Sequence, residues 1–171
     1  MRAHLMLLLF PVTLGAAVAC WAAQPLLAAH QTQFTVAEDH VLGTWVLNLA
    51  KSKFQPGPAP KSQTRIYEAH RDGLKTTIKT VYADGRSSSI EYVANYDSVE
   101  YPVTGAPDSD AIALKKIDAN TAESILWHAG KQMANARRVI SEDGRTMTIT
   151  YRGMWDGDQA NNVVVYDRVQ K

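Results

Sequence analysis

The chain has 171 residues, with 18 Lys and Arg against 17 Asp and Glu, for a net charge of +1. That near-balance, with no basic stripe, excludes nucleic acid as a partner. One cysteine, Cys20, excludes a disulfide framework, so an apolar core must hold the folded part together unaided.

Residues 1–29 read as an export segment. Arg2 and His4 precede an apolar run from Leu5 to Ala19 that is broken by Pro11 and Gly15, too short for a transmembrane helix. Cys20-Trp21-Ala22 and Leu27-Ala28-Ala29 both offer small residues for cleavage. Ala17-Val18-Ala19-Cys20 resembles a bacterial lipobox, in which Cys20 would be lipidated. The expected location is therefore periplasmic or secreted, with a membrane contact only through such an anchor. Residues 30–171 form the single folded domain.

That domain reads as strands throughout. Segments rich in Thr, Val, Ile and Tyr alternate with Asp72-Gly73, Asp84-Gly85, Asp143-Gly144 and Asp156-Gly157 turns. The predicted strands are 43–49, 63–70, 74–83, 86–96, 99–103, 111–117, 121–129, 132–141, 145–152 and 161–169. The Pro-rich stretch Gln55–Pro60 is a stiff loop after the first of them.

Turn chemistry then sets which residues face each other. A three-residue loop at Ala83-Asp84-Gly85 puts Ile78 against Ile90 and Thr76 against Tyr92. The same rule at Arg71-Asp72-Gly73 puts Ile66 against Ile78. At Asp118-Ala119-Asn120, with Asn120 left-handed, it sets Leu114 by Ser124 and Ile112 by Leu126. A two-residue Gly130-Lys131 turn brings His128 to Met133 and Ser124 to Arg137. At Glu142-Asp143-Gly144, Val139 meets Met147 and Arg137 meets Ile149. One face then carries Ile66, Ile78, Ile90, Tyr92, Ile112, Leu114, Leu126, Met133, Val139, Met147, Ile149 and Tyr151. The other is polar, with Lys115, Glu123 and Arg138 in a cross-strand row. An antiparallel meander of 8–10 strands with one dry face closes most naturally into an up-and-down, lipocalin-like barrel, with a two-sheet sandwich as the alternative.

Gly43-Thr44-Trp45 at the head of the first strand resembles the calycin superfamily, the lipocalins and fatty-acid-binding proteins. The resemblance implies that Trp45 closes one barrel end, with a basic residue of the last strand packed on its ring. Arg168, in Val163–Val169, matches that role. The Tyr166-Asp167-Arg168 order reverses the Arg-x-Tyr ending of fatty-acid-binding proteins. Trp45, Leu47, Asn48, Lys51, Ser52 and Phe54, with Tyr101–Asp110 and the YDR ending, resemble more closely a group of small exported bacterial proteins. That resemblance implies export and fold, and no mechanism.

No catalytic residues, cofactor or metal ligands are expected. The chain has no Gly-x-Ser-x-Gly elbow, no HExxH and no phosphate loop. Asp108-Ser109-Asp110 and Asp156-Gly157-Asp158 read as Asx turns, and His40, His70 and His128 are scattered. Two function classes remain: a carrier of a small apolar or amphipathic ligand in a barrel cavity, and an envelope interaction module with a filled barrel and working loops. Small inner residues (Thr64, Thr76, Thr80, Ala94, Ala122, Ser124) leave room and favour the cavity. The registers aim Arg137 inward, with Glu68 and His70 near one end as candidate partners and Tyr92, His128, Asn135 and Tyr151 as neutral hydrogen-bonding groups. An internal Arg137–Glu68 ion pair, or a side chain that snorkels to the rim, is the structural alternative to an anion anchor flanked by Tyr92 and Tyr151. Met147 lies on the same predicted face.

Overall fold

The computed structural model describes residues 36, 39–155 and 158–170. The expected export segment, Cys20 and the Asp156-Gly157 turn lie outside the described residues. Ten strands follow in chain order: β1 (Gly43–Leu47), β2 (Ser62–His70), β3 (Gly73–Val81), β4 (Ser87–Ala94), β5 (Asp97–Pro102), β6 (Ala111–Lys116), β7 (Thr121–His128), β8 (Lys131–Ile140), β9 (Thr146–Trp155) and β10 (Asp158–Arg168). They form one antiparallel sheet in the order β4-β3-β2-β1-β10-β9-β8-β7-β6-β5. Each strand therefore pairs with its chain neighbour, except that β1 and β10 join the two halves. β4 and β5, at the ends of the ladder, share no strand pairing, and the barrel is nearly closed. A single bridge, Glu91 to Thr104, spans this seam just beyond β5. Gly105 makes that approach possible: it has φ +76° and a Cβ there would overlap the Ser89 carbonyl oxygen.

Closure between β1 and β10 explains the two motifs at the ends of the chain. Trp45 faces Arg168 and Leu47 faces Tyr166. Asn48 caps the 3-10 turn Leu49–Lys51 and donates to Asp167 Oδ2 (2.6 Å). Ser52 Oγ donates to Asn48 O (2.7 Å) and accepts from Val165 N (2.9 Å). Phe54 packs against the core. Trp45, Tyr166, Leu74, Met147 and Val41 are fully buried, and Trp45 donates its indole N–H to Val41 O (2.7 Å).

Two predicted turns set the register as expected: Ile78 faces Ile90, Thr76 faces Tyr92, Leu114 faces Ser124 and Ile112 faces Leu126. At the second of them the Asp118 carboxylate caps the backbone N–H groups of Asn120 and Thr121, and Asn120 is not left-handed. The other three turns differ. His70 pairs with Gly73, so the loop is the two residues Arg71-Asp72, and Arg65 rather than Ile66 faces Ile78. Gly73 belongs to the strand because it lies under the Ala94 carbonyl, where a Cβ would not fit. Between β7 and β8 the loop is Ala129-Gly130, with φ of 49° and 72°, and a bulge at Leu126/Trp127 sets Ser124 opposite Ala136. Between β8 and β9, Ser141 N donates to Thr146 O (2.8 Å), enclosing a four-residue loop, and Arg138 rather than Arg137 faces Ile149. Each one-residue slip exchanges the two faces of a strand. Tyr67 and Arg65 turn inward, and Val139 becomes 40% exposed.

Candidate functional site: a cationic cavity in the barrel

The registers converge on an interior cavity of about 160 Å³. Ile78, Ile90, Ile112, Leu114, Leu126 and Ile149 give it aliphatic walls, and Ala122, Ser124 and Ala136 leave the space. The β5–β6 loop contributes Val103 and residues 106–109. The volume matches a single ring or a short aliphatic chain and falls below the 300 Å³ or more of a typical drug-sized site.

Arg65, on β2, lines this cavity. Its Nε donates to Tyr166 Oη (3.0 Å) and Gln63 Oε1 (3.3 Å), and its guanidinium carbon lies 5.2 Å from the Tyr166 ring centre. Tyr166 in turn donates to Gln63 Oε1. All these partners are neutral. Among the described residues no carboxylate stands within ion-pairing distance of Arg65. Burial opposes its charge, and the neutral hydroxyls around it, Tyr166 first, are its polar partners in place of a counter-ion. Tyr92 and Tyr166 are pushed up by burial and stay neutral.

A second cation, Arg138 on β8, enters the same cavity. It stacks 5.3 Å from the Tyr67 ring centre and donates to Tyr96 Oη (2.7 Å). Beyond it, Asp39, on the segment leading into β1, accepts from Lys116 Nζ (2.6 Å), Val41 N (3.1 Å) and Tyr96 Oη. Arg138 Nη2 is 3.9 Å from the same carboxylate. The side chains of Asp39 and Lys116 are 2% and 5% exposed, so this pairing is sheltered from solvent. Burial pushes Asp39 up, but the Lys116 and Tyr96 hydrogen bonds, then Arg138, outweigh it and leave its carboxyl below the ordinary carboxylate range.

The residues singled out from sequence are dispersed. Arg137 is outside, 2.6 Å from Glu123 with both side chains nearly half exposed, because the β8–β9 loop has four residues rather than the expected three. Arg138, assigned to the outer charge row, is inside. Glu68 is exposed and 3.9 Å from Lys75, so the Arg137–Glu68 pair does not form. His128 is exposed at the end of β7, 3.8 Å from Asp110. Met147 is fully buried in the core but does not line the cavity. Tyr92 and Tyr151 do line it. Tyr151 donates to Met154 O (2.9 Å), and burial, with Asp108 nearby, raises its hydroxyl to about 12. Arg168 lies 4.2 Å over the Trp45 ring centre. Sequence reasoning missed Arg65, Tyr67, Tyr96, Lys116 and Asp39. The alternation Gln63, Arg65, Tyr67 was the available signal, and one residue of loop length concealed it. Among the described residues no His, Cys, Asp or Glu cluster is arranged to hold a metal.

No protein-family model and no curated protein matches the chain. Among solved structures it is similar to the zebrafish ileal bile acid-binding protein complexed with cholic acid, with TM-score 0.48 and 9% identity over 77% of this chain and 100% of that one. A likeness this distant bears on neither ligand nor site. The chain is a ten-strand up-and-down meander joined between its first and last strands, with Arg168 over Trp45.

Proposed function

We propose that the protein is an exported binder of a small amphipathic molecule, held in the barrel with its acidic group at Arg65 and its apolar part against the aliphatic walls. The observation that carries the reading is a guanidinium facing a cavity with only phenol and amide partners. A partly buried charge without a counter-ion is costly, and a carboxylate matches the guanidinium fork in bidentate fashion. The cavity volume favours a one-ring or short-chain acid over a steroid or long-chain fatty acid. Export rests on residues 1–29, and the mass of the mature N-terminus tests it: a diacylglycerol adduct on Cys20 would place the protein on a membrane face.

Organic extraction of protein purified from its own host, followed by mass spectrometry, tests the ligand. A co-purifying small acid that is absent from Arg65→Met protein is the expected result. Because Arg65 has no carboxylate to leave unpaired, Arg65→Met should keep or raise stability while abolishing binding. Equal binding of small acids by wild-type and Arg65→Met protein would refute the assignment.

A further inference from the structure

The two cations of the cavity differ in one respect. Arg65 has only neutral partners, whereas Arg138 shares the Asp39 carboxylate with Lys116. Both approach the same residue, Tyr67: Arg138 stacks on its ring and Arg65 lies by its hydroxyl. Asp39 is not part of the barrel wall. It arrives on the short segment before β1, where Asp39 N donates to Val36 O (3.2 Å) and Leu42 N donates to Asp39 O (3.0 Å). Arg168 clamps that segment at the Leu42 and His40 carbonyls.

We propose that Asp39 is a tethered carboxylate that fills the inner of two anion sites in the barrel and so limits the cavity's ligand to one acidic group. Its donors are what a bound acid would be given: an ammonium at 2.6 Å, a phenol hydroxyl, a backbone N–H and a guanidinium just beyond contact. The Arg138 guanidinium is not saturated by this arrangement, since its Nε is buried without a hydrogen-bond partner among the described residues. Without Asp39, Lys116 and Arg138 would lose the carboxylate they share. A molecule already anchored at Arg65 could then place a second acidic group across Tyr67. Asp39 acts through Arg138 and Lys116 and is thus a positioning residue for specificity, and this role rests on the reading of Arg65 given above.

The test compares benzoate, benzamide and isophthalate by titration calorimetry on the full chain expressed with its own leader. Wild-type protein should bind benzoate at least tenfold more tightly than isophthalate, and benzamide not at all. In Asp39→Ala, which empties the site, the isophthalate-to-benzoate affinity ratio should rise at least tenfold, and in Asp39→Asn, whose amide still fills it, by less. A purely structural role would lower stability and leave that ratio where it was, and an unchanged ratio in folded variants overturns the proposal. The second measurement needs no ligand at Arg65. Formate, but not formamide or chloride, should raise the thermal midpoint of Asp39→Ala in an Arg65→Met background and recover its fold if it is lost, with no such preference in Arg65→Met alone. Absence of a formate-specific gain also overturns the proposal. If wild type and Arg65→Met both fail to bind benzoate, the reading of Arg65 falls, and the formate arm still decides whether Asp39 occupies an anion site.

Discussion

Arg168→Ala tests how the barrel end is held. The guanidinium stacks 4.2 Å over Trp45 and donates to Leu42 O (2.6 Å), Gly144 O (2.6 Å) and His40 O. It thereby ties together three chain segments: the entry to β1, β10 and the β8–β9 loop. The ring contact contributes about 1 kcal/mol. The charge-assisted bonds would each be worth roughly 1.5 kcal/mol or more if dry. Water can reach this partly exposed side chain and replace some of them, so about 0.7 kcal/mol each is a reasonable discount. The sum is about 3 kcal/mol, or roughly 10 °C in Tm for a domain of this size. Urea unfolding followed by circular dichroism measures it. Arg168→Lys keeps the charge and loses the fork, and should recover less than half of the loss. If Arg168→Ala unfolds within about 1 kcal/mol of wild type at unchanged m-value, the clamp is a bystander and the reasoning fails.

The two adjacent arginines should separate cleanly in the same assay: Arg137→Ala should cost at most about 0.5 kcal/mol, because its pair with Glu123 is half exposed, while Arg138→Ala should cost several times more. Equal losses would put the β8 register in doubt. The depressed Asp39 carboxyl predicts an acid limb: its stabilisation is complete above the unfolded value near 4 and is lost as pH falls through the lower folded value. Asp39→Asn should flatten the stability profile in that window, and an unaltered acid limb would show that other carboxylates set it. Gly105→Ala should break the seam between β4 and the β5–β6 loop, through a strained backbone worth about 1–3 kcal/mol and the collision with Ser89. Hydrogen exchange should then lose protection at the Glu91 and Thr104 amides, while β1 and β10 amides away from the seam keep theirs.

The strand count, the meander and the choice of a closed sheet were legible because each depends on local alternation and turn residues, which neighbouring residues determine. Trp45 and Arg168 were matched through their places at the two chain ends, where a barrel must join. The interior chemistry was not legible to the same degree. Arg65 and Arg138 enter the cavity because Arg71-Asp72 is a two-residue loop, Leu126/Trp127 carries a bulge and Glu142–Arg145 is a four-residue loop. Those lengths depend on what packs above the turn, such as the Ala94 backbone over Gly73, and on the Ser141–Thr146 bond. Asp39 is further still from sequence reasoning: nothing local marks a lone aspartate before β1 as the counter-ion of Lys116 and Arg138, 77 and 99 positions away. The sequence by itself determined an all-β meander with one apolar face. Only the tertiary structure decided which charges lie within it, because a side-chain period of two gives the opposite face for every single-residue slip and the slips are settled by long-range contacts.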